Sequence, residues 1–518
     1  MASYLSPGVY VEEVSAGSKP IEAAGTAVAA FVGFAEKGPV HQPVLVTNWT
    51  QFTKSFGGFV AGSYLAHAVY GYFANGGGAG YVVRIGGEDT PPVIQGEVPA
   101  AGDEGRPAFT VRALAAANGA AHDLTVEVVP PPTPPPAGPE GPPPEPPDDT
   151  FTLVVKRGGK PVETFEGVTT RRGATNVVST VRQQSKLIEV EEVKGRPLAV
   201  PRRGAEVSLS PAGLPESRVA PRDYVGDVAD RTGFAGLEAI DEITMLCVPD
   251  LMAARQRDLI DDEGVLAVQH AMITHCELMA DRVAILDTPP NLTAQQVKQW
   301  RTEANLDSKY AAVYYPWIKV MDPLAGHPVF LPPSGHVAGI WARSDATRGV
   351  HKAPANEIVR NAISLELNLT KGEHDQLNPD GINCIRAFAG QGIRIWGART
   401  LSSDPEWRYL NVRRLFNYVE KSILQGTNWV VFEPNDPKLW DSVNRTITMF
   451  LRRVWRDGAL FGRTPGEAFY VRCDEENNPP ENRDAGLLTV EIGIAPVKPA
   501  EFVVFRISQF ADGAGLEE

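Results

Sequence analysis

The sequence predicts a multidomain protein in which an α/β core domain carries an inserted β-rich outer domain, a C-terminal α+β domain and extended β-arms at both termini. The chain has 518 residues, more than one ordinary domain holds. Strand-like and helix-like patterns alternate through residues 26–89 and 221–400, which indicates a mostly parallel sheet covered by helices. Residues 90–220 differ because they contain short strands around a proline tract.

The first part of the core, residues 26–89, shows two buried strands around a helix. Ala27–Phe34 and Tyr81–Ile85 are apolar strand runs, and Tyr64–Ala74 has a helical pattern. Asn75–Gly80 looks at first like a phosphate-binding loop. It follows a helix and precedes a strand, however, and lacks the Gly-Lys-Ser/Thr ending, so we interpret it as a structural turn.

The second part of the core, residues 221–400, repeats this rhythm. Asp262–Ala280 carries apolar residues at three- and four-residue spacing, which predicts an amphipathic helix. Val283–Asp287 and Ala311–Trp317 are predicted strands. Between them, Thr293 and Gln296 have the spacing of a capping box that begins a helix.

The segment 90–220 is predicted to be a β-rich outer domain. Leu124–Val129, Phe151–Lys156 and Val162–Phe165 are strand runs. In the tract 130–147, 12 of 18 positions are proline, so few amide donors remain and the backbone favours a stiff, extended form. We interpret this tract as a solvated loop, and docking to an aromatic-grooved partner module stays open.

Residues 401–498 are predicted to form a C-terminal α+β domain. The expected helices are Glu406–Gln425 and Pro437–Gly458, the second with Asp436 as its N-cap and proline at its first position. The expected strands are Trp429–Phe432, Ala468–Cys473 and Leu487–Ile494.

The helix from Pro437 carries a basic stripe. On a helical projection, Val443, Ile447, Phe450 and Val454 point to one side. Three arginines point to the opposite side, within about 40° of one another. A basic stripe on an acidic chain could contact an acidic partner, and an ordinary solvated face is the alternative. The stripe consists of Arg445, Arg452 and Arg456.

Both ends of the chain resemble arms. Residues 1–25 contain a short β-prone run but no pattern that would bury it, so an extended arm or a frayed terminus is expected. Residues 499–518 contain the predicted strand Phe502–Ile507, which Pro496 and Pro499 separate from the preceding domain. A strand isolated in this way suggests pairing with something else. The candidate contact residues are Val9, Tyr10, Val11, Val503, Val504 and Phe505.

Composition argues against several classes of protein. Lys and Arg total 49 against 63 Asp and Glu, a net charge of −14, which disfavours a nucleic-acid partner. We expect no signal peptide and no membrane insertion, because the start lacks a basic, apolar leader and no run approaches a membrane span. The cysteines are widely spaced in apolar contexts, which indicates reduced core thiols in a protein made in a cytoplasm. They are Cys247, Cys276, Cys384 and Cys473.

The sequence contains few features that would indicate an enzyme. His270 and His275 lie five residues apart and so do not share a helical face, and neither a Cys-x-x-Cys pair nor a Gly-x-Ser-x-Gly elbow is present. A pair of carboxylates that meet only in space stays possible, although nothing in the sequence marks an acid as buried. We therefore expect no catalytic, cofactor-binding or metal-binding residues.

Seven short segments, in order along the chain, are similar to the phage tail sheath family. The ordered set is far more specific than any one segment, and it covers nearly the whole chain except 90–220, where the family varies in size. The segments are Ser6–Glu13 (SPGVYVEE), Pro332–Gly339 (PPSGHVAG), Arg348–Asn356 (RGVHKAPAN), Leu377–Asn383 (LNPDGIN), Trp396–Leu401 (WGARTL), Trp407–Arg414 (WRYLNVRR) and Phe432–Asp436 (FEPND).

The resemblance implies a structural polymer and no cofactor. Family members stack as six-subunit rings around an inner tube, and their terminal arms complete a β-sheet in neighbouring subunits. Contraction, triggered at a baseplate, drives the tube through a target envelope. The implied partners are further copies of the chain, the tube protein, and baseplate and terminal cap proteins. Assembly would take place in the cytoplasm of the producing bacterium, and the chain would then be part of a tail-like particle or virion.

The same resemblance implies a position for the basic stripe, because the corresponding helix in relatives faces the tube. Two other classes stay open at this point: a non-contractile shell or capsid-like protein, and a hydrolase with an inserted binding domain.

Overall fold

The structure is a computed structural model that describes most of the chain. The described residues are 20–60, 62–86, 94–101, 107–114, 124–132, 147, 149–192, 198–211, 219–323 and 326–505. In chain order, the first elements are Val28–Gly33 (β1), Val44–Val46 (β2), Trp49–Phe56 (α1), Leu65–Asn75 (α2) and Ala79–Arg84 (β3).

A strand-rich stretch follows and contains a single helix among the residues described. Its elements are Ile94–Pro99 (β4), Pro107–Ala113 (β5), Leu124–Val129 (β6), Thr150–Arg157 (β7), Lys160–Thr169 (β8), Val177–Gln184 (α3), Ile188–Glu191 (β9), Glu206–Ser208 (β10) and Ser210–Pro211 (β11).

Helices and strands then alternate up to residue 395. These elements are Pro221–Val225 (α4), Met245–Cys247 (β12), Asp250–Gln256 (α5), Asp262–Met279 (α6), Val283–Asp287 (β13), Ala294–Glu303 (α7), Ala311–Tyr315 (β14), Ile318–Met321 (β15), Pro328–Leu331 (β16), Ser334–Arg348 (α8), Glu357–Ile358 (β17), Ser364–Leu365 (β18), Lys371–Leu377 (α9), Ile382–Phe388 (β19) and Gly392–Ile395 (β20).

The last part of the chain is mainly helical. Its elements are Leu410–Gly426 (α10), Pro437–Arg456 (α11), Pro465–Ala468 (α12), Phe469–Arg472 (β21), Pro480–Asp484 (α13) and Glu491–Ile494 (β22).

A large mixed sheet organises the core. Over the described residues it has nine strands in the order β17-β20-β19-β14-β13-β12-β1-β3-β2. Its middle pairs, from β3 through β1, β12, β13 and β14 to β19, are parallel, and the pairs at both edges are antiparallel. The strands β13 and β14 are buried along their whole length because helices cover both faces. The predicted mostly parallel sheet is confirmed.

Local sequence signals explain several boundaries in this core. Thr293 and Gln296 form the expected capping box at the start of α7. Gly76 ends α2 in the left-handed conformation with φ of 116°, and β3 begins at Ala79, so the residues between them form the predicted structural turn.

Two core helices cross at unusually close range. A Cβ atom placed on Gly335 of α8 would lie 2.4 Å from the Cα and carbonyl oxygen of Ala68 in α2. A Cβ on Gly339, one turn further along α8, would lie 2.4 Å from the carbonyl oxygen of Tyr72. Because backbone meets backbone here, the segment Pro332–Gly339 needs glycine at both positions.

The strand-rich stretch 94–211 builds a separate β-structure. Its described strands form two four-stranded antiparallel sheets, β10-β6-β7-β8 and β11-β4-β5-β9. A hydrophobic cluster drawn only from this stretch, including Phe109, Phe151 and Val181, fills the space between them. Residues 133–146 of the proline tract lie outside the described residues, so the loop interpretation stays a prediction.

Helix α10 joins the core to the C-terminal part. Its apolar side chains Leu415 and Val419 belong to a cluster with α11. Its polar side is also buried, and it faces the core. Arg414 forms an ion pair with Asp345 of α8 at 2.6 Å, and both side chains are only 4% exposed. Lys421 pairs with Asp281 at 2.8 Å in the same way.

Three sequence predictions in the C-terminal part were wrong in extent or type. The helix predicted from Glu406 begins at Leu410, because the preceding residues pair with the loop after β20, with Thr400 N–H donating to the Arg408 carbonyl at 2.9 Å. The strand predicted from Leu487 begins at Glu491, because the amide of Thr489 donates to the Asn478 side chain at 2.6 Å.

The third error is the strand predicted over Trp429–Phe432. The chain forms a short 3₁₀ turn at Asn428–Val430 instead, and local acceptors take the amide protons that a strand would need. Phe432 then adopts a left-handed backbone with φ of 72° and is fully exposed.

Candidate functional site

The basic helix α11 is built as its sequence pattern predicts. The Asp436 side chain accepts a hydrogen bond from the amide of Leu439 at 2.9 Å, and Pro437 occupies the first turn. The apolar face is buried, and it includes Val443, Ile447 and Phe450. This packing holds the opposite face in solvent.

The three predicted arginines of α11 are all exposed on that opposite face. Among the described residues, no ion pair or hydrogen bond is found for the side chains of Arg445, Arg452 or Arg456. Lys438 is exposed on the same line, two turns before Arg445, and extends the stripe toward the start of the helix. Lys438 was not among the predicted residues, although its seven-residue spacing from Arg445 could have indicated it.

The C-terminal segment leaves the folded body abruptly. Val497 is still attached, because its amide donates to the Ala459 carbonyl at 3.2 Å and its own carbonyl accepts from the Asn411 side chain at 3.0 Å. Glu501 is half-buried and hydrogen-bonded to the core. The next four side chains, Phe502 to Phe505, are 68–84% exposed. Four consecutive exposed apolar residues are a surface that a partner would be expected to cover.

The predicted arm residues Val503, Val504 and Phe505 therefore lie in solvent and form no strand within the described single chain. A strand at this position would need a partner, so the predicted pairing stays a prediction. Residues Val9, Tyr10 and Val11 at the other end lie outside the described residues.

Part of the predicted N-terminal arm is attached to the body of its own chain. Ile21 is buried against Gly426 at the end of α10. The amide of Ala24 donates to the Ser422 hydroxyl at 3.0 Å, and the Thr26 carbonyl accepts from Arg414 at 3.1 Å. Residues 20–26 thus lie along α10.

A small antiparallel sheet lies on the C-terminal part. It consists of β21 and β22, with Phe469 opposite Ile494 and Arg472 opposite Glu491. In the described part of the chain it gains no third strand, and only an isolated bridge between Leu460 and Pro496 lies beyond the end of β22. The sheet therefore has strand edges at which a further strand could pair.

Among the described residues, Asp250 and Asp287 are acids buried in the core, although nothing in the sequence marked them as buried. Asp250 accepts hydrogen bonds from the amides of Phe34 (2.6 Å), Tyr64 and Leu65 (3.1 Å) and from the Ser63 hydroxyl (2.9 Å). Burial raises the pKa of Asp250 to about 6, although these donors oppose the shift. The carboxylate therefore ties β1 to the start of α2.

The carboxylate of Asp287 caps the start of α8 in the same way. Its carboxylate accepts from the amide of Ser334 at 3.0 Å and from the Ser334 hydroxyl at 2.6 Å. Burial raises the pKa of Asp287 to about 7. Both acids are thus occupied as helix caps, which is a structural role.

The remaining chemistry-bearing groups are also part of the core. All four cysteines are buried free thiols, as predicted, and burial raises the pKa of Cys384 to about 12. Within the described ranges, no three His, Cys, Asp or Glu side chains gather as metal ligands would, and no helix is long and apolar enough to span a membrane.

Comparison with known proteins identifies the family. Residues 233–401 match the family model for the phage tail sheath protein central domain, and residues 402–510 match the model for the phage tail sheath C-terminal domain. Together these matches cover more than half of the chain. The chain therefore belongs to the phage tail sheath family, as its motifs predicted, and this family consists of structural sheath proteins.

Curated relatives match over part of their length. The tail sheath protein of Vibrio phage KVP40 is 27% identical over 218 residues, which are 41% of this chain and 32% of that protein. The tail sheath protein of Burkholderia phage BcepMu is 27% identical over 256 residues, 46% of this chain and 52% of that protein. The chain thus spans about a third to a half of the length of these relatives.

Solved structures share the fold over nearly the whole chain. The helical sheath of the anti-feeding prophage (AFP) in its contracted state has a TM-score of 0.58 at 23% identity, covering 98% of this chain and 100% of that one. The contracted sheath complex of the extracellular contractile injection system PVC has a TM-score of 0.57 at 22% identity, covering 98% and 99%.

Proposed function

We propose that this chain is the sheath subunit of a contractile injection system. In this proposal it polymerises as stacked six-subunit rings around an inner tube, and the sheath shortens to drive the tube through a target envelope. The observation that carries the proposal is the exposed apolar segment 502–505 on a chain whose small sheet β21–β22 has free edges. An exposed segment of strand-forming residues and a sheet with open edges are complementary between copies.

The likeness to contracted sheaths supports this assignment over a static shell. Support for sixfold rings comes from a chain in the sixfold-symmetrised AFP baseplate, which has a TM-score of 0.57 and is covered in full. That relative also supports baseplate proteins as partners.

The energy of one arm contact can be bounded. A short strand offers roughly five main-chain hydrogen bonds, each with a net stabilisation of about 0.5–1.5 kcal/mol. Apolar side chains add about 25 cal/mol for each Å² buried. The entropy of ordering the arm opposes both terms. Several kcal/mol per contact, repeated around every ring, would hold a polymer without a large flat interface.

The basic face of α11 would contact the tube. Its four cations lie in solvent, while the apolar face anchors the helix to the domain. Individual surface ion pairs contribute only about 0–1 kcal/mol, so a tube contact of this kind would depend on repetition over many rings.

Truncation of the arms tests the proposal. Chains lacking residues 1–14 or residues 502–518 should be folded monomers that no longer form sheaths. The second cut keeps Glu501, so the contacts of the folded body stay intact. Sedimentation and negative-stain microscopy would measure assembly, and circular dichroism would measure folding.

A chain lacking 130–147 is the matched control, because it loses a comparable number of residues away from the arms. It should still build sheaths. Long sheaths from either arm truncation, or unfolding of either, would show that the arms are not the couplers.

A further inference from the structure

The carboxylate of Glu501 occupies a site built by residues far away in the sequence. Arg399 holds it with two hydrogen bonds, Nε to Oε1 at 2.8 Å and Nη2 to Oε2 at 2.5 Å. The Asn378 side chain donates to Oε1 at 3.1 Å, and the Tyr409 hydroxyl lies 3.4 Å from Oε2. This bidentate, multiply bonded arrangement is the strong form of carboxylate recognition.

The residues that hold Glu501 are also hydrogen-bonded to one another and to the core. The amide of Arg399 donates to the Asn383 side chain at 2.7 Å, and Asn383 in turn donates to the carbonyls of Arg399 and Val313. The Arg399 Nη1 donates to the Asn378 carbonyl at 3.1 Å. With Glu501 in place the Arg399 side chain is 8% exposed, so the ion pair is largely shielded from water.

Three of the sequence motifs converge here. Asn378 and Asn383 belong to Leu377–Asn383, Arg399 belongs to Trp396–Leu401, and Tyr409 belongs to Trp407–Arg414. Neither the free sheet edges nor the basic helix uses these residues.

The route of the chain shows what the site does. After Val497, residues 498–500 form one wall of an open groove of about 400 Å³ whose other lining residues include Arg348, His351 and Asn411. The chain reaches the core at Glu501, and the exposed arm begins at the next residue. The arm therefore starts from the core, although residue 497 is still bonded to the C-terminal part.

We propose that Asn378, Arg399 and Tyr409 form a root site for Glu501, which fixes the point and direction from which the C-terminal arm leaves to reach a neighbouring subunit. The proposal rests on the proposed polymerising function. Without the root, residues 498–505 would form a longer free tether from Val497. Ordering that tether on binding costs entropy that the rooted arm has already lost on folding.

The test variant is Glu501→Gln, whose amide places a donor against the donors of the site. Glu475→Gln is the matched control, since Glu475 is an exposed glutamate on the same part of the chain. We expect the critical concentration for sheath formation to rise about tenfold or more in Glu501→Gln and to stay unchanged in the control.

A distance measurement separates positioning from folding. Spin labels on cysteines introduced at Lys371, which is exposed on α9, and at Phe505 would report the spread of arm positions in the monomer by pulsed EPR. The native cysteines are buried and do not interfere. The distance distribution should be narrow in the intact chain and in Glu475→Gln, and broad in Glu501→Gln.

The outcomes distinguish this proposal from the one it rests on. Normal sheaths from the chain lacking 502–518 would overturn arm coupling itself. If that chain fails to assemble while Glu501→Gln assembles at the normal concentration with a narrow distribution, the root proposal alone is wrong. If Glu501→Gln unfolds, Asn378→Ala removes one donor and keeps the ion pair. It should raise the critical concentration by about threefold, and no rise would overturn the root.

Discussion

Because α2 and α8 cross so closely, we predict that Gly339→Ala destabilises the protein. The added Cβ would lie 2.4 Å from the carbonyl oxygen of Tyr72 and 2.8 Å from the Cβ of Asn75. The contacted atoms are a backbone oxygen and a Cβ in the last turn of α2, so neither can rotate away as a flexible side-chain end could. The two helices must move apart or bend.

The magnitude follows from two opposing effects. Alanine in a helix interior is about 1 kcal/mol more favourable than glycine. Overpacking of a core contact costs about 1–3 kcal/mol and sometimes more. Here the clash is with backbone in a cluster that includes the buried Trp341 and Tyr72, so we expect the upper end. The net loss of unfolding free energy should be about 2 kcal/mol.

Gly372→Ala is the matched control. Gly372 is also helical, in α9, and a Cβ there meets nothing within 4 Å. This variant should gain up to about 1 kcal/mol. The assay is urea unfolding followed by circular dichroism, at protein concentrations below assembly. If Gly339→Ala proved as stable as Gly372→Ala, the inferred backbone contact between the helices would be wrong.

Three further predictions concern charged groups. Arg445→Glu, Arg452→Glu and Arg456→Glu combined should leave the fold intact but weaken co-assembly with the tube, measured by co-sedimentation; unchanged co-sedimentation would count against the tube contact. Asp345→Asn leaves its buried arginine partner unpaired and should cost about 3–5 kcal/mol in urea unfolding. Asp287 has a folded pKa raised to about 7 and Asp250 one raised to about 6, so the stability of the intact chain should fall as pH rises from about 4 to 7. Asp287→Asn should show a smaller fall over that range, because the contribution of Asp250 remains.

The spacing of apolar residues along the sequence predicted most of the fold. The alternation of apolar runs predicted the parallel sheet, and the helical stripe predicted the buried face of α11 together with its three exposed arginines. Such features depend on residues close in sequence, where spacing alone sets geometry. The capping box at Thr293 was predictable for the same reason.

The wrong predictions concern segments whose structure is decided by contacts between residues far apart in sequence or by competing local hydrogen bonds. Trp429–Phe432 has strand-forming residues, but it lies between α10 and α11, and local carbonyls take its amides. Intrinsic strand preference is weak against such context. Glu501 and Arg399 are 102 residues apart, so a single sequence held no signal that they meet. The buried acids were missed because burial depends on the packing of β1, α2 and α8 around them.

Both sides of helix α10 are buried, and this affects how force passes through the subunit. One side packs by apolar contact with α11, while the other meets the core through paired charges such as Arg414 with Asp345. Apolar surfaces can slide past one another at small cost, whereas a bidentate ion pair holds only at one register. The contact between α10 and the core should therefore resist sliding until the ion pairs break together. A subunit built this way would transmit force from the core to the C-terminal part with little relative movement of the two.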